Sequence, residues 1–197
     1  MNTQYSENRI KIRPYRDGDA ELLYEAARES IDEVYPWLEW CHPEYSIDDS
    51  REWIERTQSW WKQKTEFHFA IFPADEDRLL GGCGLNHIDA PHKVANLGYW
   101  VRSSATGQGI ATTATIQLAR YAFDKLKFNR LEIVMSVENS GSQRVAEKAA
   151  ATNEGRLRNR LLLHERQHDA FLFSLLPGDL PYQEGVPLNG HAHSENG

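Results

Sequence analysis

Only two cysteines, Cys41 and Cys83, occur in the 197 residues, too few for a disulfide framework and without the paired spacing of a structural zinc site. Reduced thiols and no bound metal are the expectation. No apolar run approaches the roughly 18 to 20 residues that a membrane-crossing helix requires. The start, MNTQYSENRI, has no apolar stretch of the secretory-signal kind. A soluble, cytoplasmic protein with no membrane partner follows. Positive charge is also scarce, with 22 Lys and Arg against 29 Asp and Glu. That balance disfavours broad affinity for nucleic acid and would attract a basic peptide or protein substrate. What is present is 40% hydrophobic and 26% charged residues, enough apolar material for one core and unlike a disordered chain. One domain over residues 1–177 is expected, with no internal repeat. The Pro-, Gly- and polar-rich stretch 178–197 has little to bury and reads as a flexible tail.

Periodicity orders the elements. RIKIR, Arg9 to Arg13, alternates like a half-buried strand that Pro14 ends. Asp17 is placed to cap a helix carrying Leu22, Leu23, Ala26 and Ala27. Asp48 or Asp49 is placed to cap another carrying Trp53, Ile54, Trp60 and Trp61. The aromatic stretch VYPWLEWCHPEYS between them reads as a loop. Glu66 to Phe72, Leu79 to Ile88 and Val94 to Val101 then read as three strands separated by turn residues, an antiparallel meander. Ile110, Ala114, Leu118, Tyr121 and Ala122 share one helical face, and a strand from Arg130 to Val137 follows. Ser140 or Ser142 opens a further helix toward Ala150, and the last strands lie near Gly155 to Leu163 and Ala170 to Leu176. The order is β, α, α, βββ, α, β, α, ββ.

The most informative segment is ATGQGIATTA, Ala105 to Ala114, where the strand NLGYWV gives way to an amphipathic helix. Small residues at Gly107, Gly109 and Ala111 let the backbone approach a ligand closely. The first helical turn adds free N–H groups and the positive end of the helix dipole, which together suit a phosphate. A nucleotide-triphosphate loop would need Lys followed by Ser or Thr where Ile110 and Ala111 stand. A dinucleotide fingerprint would want Gly at Thr112 inside a parallel repeat. Neither pattern is met, and a Gly-rich helix start that binds nothing is the plain alternative.

The stretch LGYWVRSSATGQGIATTATIQLARYAF, with RLEIVMSVENSGSQRVAEKAAATNEGRLRNR and HDAFLFSLL, resembles the GNAT acyltransferases. Within them it resembles the RimJ/RimL-like branch, which acetylates protein N-termini, over about Arg9 to Leu176. The resemblance implies an α/β (α+β) fold with a mixed, mostly antiparallel central sheet and helices on both faces. It also implies acetyl-CoA as co-substrate. The family's pyrophosphate loop, Q/R-x-x-G-x-G/A, falls on Thr106, Gly107, Gln108, Gly109, Ile110 and Ala111, with Thr112 completing the turn; the two small positions match and Thr106 departs from the pattern. ENSGSQRVAEK supplies Asn139 and Ser142, three residues apart at a helix start as in that branch. PWLEW, Pro36 to Trp40, resembles an aromatic stretch near the branch's acceptor site.

Acetyl transfer to an amine needs a neutral nucleophile, a polarised thioester carbonyl and a proton for the departing thiolate. From the resemblance, a backbone N–H at Val101 or Arg102 would bond the carbonyl. Asn139 would bond the pantetheine chain and Ser142 would supply the proton, although helix capping explains both residues equally well by position. Related enzymes place a carboxylate where Leu161 or Asn96 stands here. The remaining candidates for a base are Glu66, His68, His87, His164 and Glu165. No single indispensable base is expected, because an N-terminal amine with a pKa of about 7.7 to 8.0 is already partly neutral near pH 7. Trp37 and Trp40, in a Pro-bounded loop, are expected to touch the acceptor, with Glu66 beside them, whereas Trp53, Trp60 and Trp61 read as core. Cys83 has no basic neighbour in sequence to lower its pKa, which argues against an acyl-cysteine. The function implied is acetylation of a primary amine, a protein or peptide N-terminus of the ribosomal-protein type. Small-molecule amine acetylation and a non-catalytic acyl-CoA-binding module are the alternatives, and a homodimer is the default oligomer.

Overall fold

The structure, a computed structural model, describes residues 9–75 and 77–180. A seven-stranded sheet runs in the order β1-β2-β3-β4-β5-β7-β6. Its strands are β1 (Ile10–Pro14), β2 (Phe67–Pro73), β3 (Gly81–Asp89), β4 (Val94–Val101), β5 (Arg130–Ser136), β6 (Thr152–Leu163) and β7 (Arg166–Leu175). Every neighbouring pair is antiparallel except β4 and β5, which run parallel. The helices are α1 (Ala20–Glu29), α2 (Ile31–Val34), α3 (Ile47–Gln63), α4 (Ile110–Asp124) and α5 (Ser140–Lys148). Among the described residues no helix is long and apolar enough to cross a membrane.

Alternation along the strands sorts side chains onto two faces. Phe67, Phe69, Leu85, Leu97, Ile133 and Phe173 point to the side where Ile110, Ala114, Leu118 and Ala122 of α4 complete the main core. Ala70 and Phe72 point to the other side, against Leu23 and Ala26 of α1 and Ile54 of α3. The mixed sheet with helices on both faces is therefore the fold implied by the sequence.

Local differences have physical reasons. Asp17 does not cap α1; residues Asp17–Asp19 form a single 3-10 turn, and the Asp19 carboxylate receives Arg13 at 2.6 and 2.7 Å. Ser46 rather than Asp48 or Asp49 caps α3. Its hydroxyl accepts from Asp49 N while the Asp49 carboxylate accepts from Ser46 N at 2.7 Å, a reciprocal capping box. The one-turn helix α2 was not expected, because four residues are too few to show a period. Within the stretch read as a tail, Asp179 accepts from Leu176 N and Leu180 packs against the main core. The remainder of that tail, 181–197, and residues 1–8 lie outside the described residues.

Candidate active site

At the end of β4 the chain makes a 3-10 turn, Ser103–Ala105, and enters α4 through Gly107 and Gly109. Both glycines hold positive φ, +71° and +80°, which side-chain-bearing residues adopt with strain. Gly109 is the N-cap, and the first amide bonded within the helix is Thr113 N, to Gly109 O at 3.0 Å. The amides of Ile110, Ala111 and Thr112 thus present the positive end of the helix without an internal acceptor. They border a cavity of about 290 Å³, whose opposite wall is Gly141, Arg144, Val145 and Lys148 of α5. Arg144 and Lys148 stand four residues apart on one helical face, and neither pairs with an acid among the described residues. Backbone donors, a helix N-terminus and two cations around one cleft form an anion site of high complementarity.

The loop is held from behind. Glu29 of α1 receives the Arg102 guanidinium and the Ser104 amide at 2.8 Å, while Ser103 N donates to Ser30 Oγ at 3.0 Å. The Arg102 hydrogen bond, then those from Ser104, hold the Glu29 carboxyl down at about 2.

Beside this cleft the sheet opens. Strands β4 and β5 pair only at Val94↔Arg130, Ala95↔Leu131 and Asn96↔Glu132. Beyond Asn96, β4 is held by β3 alone and β5 by β7 alone. Arg102 N donates to Leu80 O at 2.9 Å, and Gly81 faces Val101. In the antiparallel alternation the backbone groups of Leu97, Tyr99 and Val101 therefore point away from β3, into the gap. An extended chain entering there would find strand-edge donors and acceptors. Ser142 sits at the gap's α5 side. Its amide donates to Asn139 Oδ1 at 2.9 Å, and its hydroxyl lies 3.0 Å from the Tyr99 hydroxyl. Burial pushes the Tyr99 phenol up to about 12, so that it stays protonated.

On the opposite face of the sheet lies a second cavity of about 330 Å³. Its floor is glycine: Gly82 and Gly84 of β3 and Gly98 of β4. Trp40, Trp53, Trp100 and Tyr45 wall it, and Asp49, Glu52, Arg56, His42 and His68 supply its polar groups. Tyr99 borders this cavity too, so the residue bonded to Ser142 links the two sides.

Comparison with known proteins identifies the family. Residues 9–152 match the model of the acetyltransferase (GNAT) domain. The chain is 31% identical over 173 residues to a probable N-acetyltransferase, YjcK, of Bacillus subtilis (strain 168), covering 86% of this chain and 95% of that protein. It is 28% identical over 165 residues to the ribosomal-protein-serine acetyltransferase of Escherichia coli (strain K12), covering 84% and 91%. Among solved structures, microcin C7 self immunity acetyltransferase MccE, in complex with acetyl-CoA and AMP, superposes with a TM-score of 0.80 at 24% identity over 85% of this chain and 92% of that one. The chain belongs to the GNAT acetyltransferase family.

Within this GNAT domain the residues singled out from sequence fall into three groups. Val101, Thr106, Gly107, Gly109, Ile110, Ala111 and Thr112 border the anion cleft. Trp40 and His68 border the second cavity, and Glu66 touches His68 at 2.6 Å. The rest are placed elsewhere. Arg102 has its amide, the sequence candidate for the thioester carbonyl, bonded to Leu80 O, and its guanidinium bonded to Glu29 and to Leu79 O, so it anchors the loop. Gln108 folds back on Ser104 O at 3.0 Å and borders neither cavity. His87 lies exposed on the β3 bulge with φ +46°, and half-buried Trp37 borders neither cavity. His164 docks on the α2 region, its amide bonded to Glu39 and its ring 3.0 Å from Tyr35 O. Trp53, expected as core, is a cavity wall, because it also meets the His68 ring edge-on with centroids 4.9 Å apart. Arg144, Lys148 and Tyr99 were missed. The first two carry a legible signal, an i, i+4 pair of cations on the helix after the second motif.

Proposed function

We propose that the protein transfers the acetyl group of acetyl-CoA to the primary amine of a protein or peptide N-terminus. The observation that carries the reading is the gap between β4 and β5, with an anion cleft at one end and an aromatic, acid-bearing cavity on the other face. The pyrophosphate would occupy the amides of Ile110, Ala111 and Thr112, with Arg144 and Lys148 neutralising its charge. The pantetheine chain would run along the open edge of β4. The Val101 N–H would then polarise the thioester carbonyl, as a donor fixed by the strand before the reaction begins.

In this reading the amine nitrogen attacks the carbonyl carbon and the C–S bond breaks. The departing thiolate takes the Ser142 hydroxyl proton, which the Tyr99 hydroxyl at 3.0 Å can replace. An ammonium group suits the acceptor-side cavity, since Asp49 and Glu52 line it and the indoles of Trp40, Trp53 and Trp100 offer faces to a cation. The ribosomal-protein-serine acetyltransferase among the relatives supports a protein N-terminus over a free amine. A mass-spectrometric assay with acetyl-CoA and peptides beginning with Ser or Ala, run beside polyamines and aminoglycosides, tests the assignment. Acetylation at the peptide α-amine is expected; acetylation confined to the small amines would transfer the acceptor to that class.

A further inference from the structure

The reading above leaves the acceptor's proton without a destination. A neutral amine must shed a proton once it has attacked, and an ammonium must shed one before. We propose that His68, held by Glu66, is the general base that takes it, an inference that rests on the acetyl-transfer reading.

Three observations converge on the pair. First, His68 Nε2 lies 2.6 Å from Glu66 Oε2. A carboxylate only accepts, so Nε2 carries the hydrogen and Nδ1 is left with the lone pair, the tautomer a base requires. Second, the ring is fixed in position, packed between Trp53 and Trp60 with centroids 4.9 and 5.4 Å away. Third, Nδ1 faces the cavity. A side chain on Gly84 would place its Cβ 2.4 Å from Nδ1, so glycine is what allows the ring to lie over β3. No described side-chain nitrogen or oxygen sealed from solvent lacks a partner. Nδ1 has no protein partner, and it therefore opens into the cavity its ring borders.

The register carries the proton route to the gap. His68 faces Gly84 on β3, and Gly84 faces Gly98 on β4, next to Tyr99. From His68 the row continues over Gly84 and Gly98, two positions without side chains, with about 4.5 to 5.5 Å between facing residues of neighbouring strands. An amine over Gly98 would reach Nδ1 directly or through one water. Burial lowers the His68 pKa and Glu66 opposes that shift, which leaves a neutral imidazole at neutral pH. Other charged groups bordering the cavity are Asp49, Glu52 and Arg56 of α3 and His42 of the preceding loop. Arg56 lies over the Trp60 ring at 5.0 Å and within 3.8 Å of Glu52, while Glu44 stands 3.6 Å from His42. Tyr15, Tyr45 and Cys83, which also border the cavity, are held protonated by burial. His42 is the other histidine bordering the cavity, so a His42→Gln control identifies which histidine gives an acid limb.

The test is the pH profile of kcat/KM for a Ser-initiated peptide, with acetyl-CoA binding measured separately by thermal shift. His68→Gln should lose about a hundredfold or more, the range of a positioned base, and should lose the acid limb while its acetyl-CoA shift persists. Gly84→Ala keeps both titratable groups but displaces the ring, and should lose at least tenfold. Glu66→Gln should move the acid limb to lower pH, and imidazole in solution should restore part of the rate of His68→Ala. A merely structural His68 would show none of these pH effects. Wild-type turnover with His68→Gln within threefold and an unchanged acid limb overturns the base assignment alone. A wild type that acetylates no amine overturns both this assignment and the reaction it serves.

Discussion

Ser142 and Tyr99 show how much rests on a single hydroxyl. The Ser142 amide serves the Asn139 cap, which accounts for a serine at the start of α5, but the cap leaves the Ser142 hydroxyl 3.0 Å from Tyr99 and beside the gap. A proton donor to a thiolate acts in the transition state, so Ser142→Ala is expected to lower kcat by roughly ten- to a thousandfold with acetyl-CoA affinity little changed. Tyr99→Phe should cost less, since it leaves the Ser142 hydroxyl in place and removes the group that replenishes its proton and donates to Ser142 O at 3.0 Å. An unchanged kcat in Ser142→Ala, accompanied by a lower melting temperature, would reduce the residue to a cap. Arg144 and Lys148 make the opposite split. Charge reversal at Arg144 should weaken acetyl-CoA binding and shrink the ligand-induced rise in melting temperature, which for unmodified protein corresponds to about 2.7 kcal/mol at a ligand concentration of 100 Kd. A full rise in Arg144→Glu would show that the cation is only a surface charge.

At the scale of elements, the cofactor loop is as rigid as its attachment to α1. The Glu29 carboxyl, ordinarily near 4.5, is held at about 2 in the fold by the Arg102 guanidinium first and by Ser104 after it. Its folded pKa is depressed, so its contribution to stability is fully present above pH 4.5 and is lost as pH falls toward 2. Glu29→Gln should therefore melt lower than wild type at pH 7 and converge with it in acid; parallel curves across that window would show that the anchor contributes nothing. Ser46→Ala, which removes one half of the α3 capping box, should cost about 1 kcal/mol. These anchors also mark the limits of the sequence. Val94 to Val101 and the Gly107–Gly109 helix start were legible, because alternation and glycine are local signals. The departure of β4 from β5 after Asn96 was not, since strand pairing across 36 residues leaves no mark in either strand alone. The Arg102 amide, a sequence candidate for the thioester carbonyl, is bonded to Leu80 O for the same reason: a cross-strand bond that nothing near it in sequence announces. Glu66, just before β2, and His68 within it were legible as candidates, but the glycine opposite His68 became meaningful only with the register.

The molecule as a whole brings a cleft on one face of the sheet and a cavity on the other to a common gap, and that geometry dictates the kinetic order of events. Two routes could carry an acetyl group between them. It could move directly to an amine while both substrates are bound, or it could rest first on a protein nucleophile. A cysteine carrier on the second route would need a thiolate, and the chain has two cysteines to supply one. Cys41 is buried beneath α1 and the loop before α3, its thiol pushed up to about 11 by desolvation and bonded to Ala27 O at 3.4 Å. Cys83 borders the acceptor-side cavity, yet burial pushes its thiol up further still, with no cation to offset the cost. A thiol so desolvated offers almost no thiolate at neutral pH. The two thiols therefore favour direct transfer, the route of the proposed reaction, which requires that acetyl-CoA and the amine occupy the protein together. Initial rates measured over both substrate concentrations should give intersecting double-reciprocal lines, and Cys83→Ala should keep its turnover within a few-fold of wild type. Parallel lines, or a stoichiometric burst of CoA release before any amine is added, would place the acetyl group on the protein and point to Cys83 as its carrier.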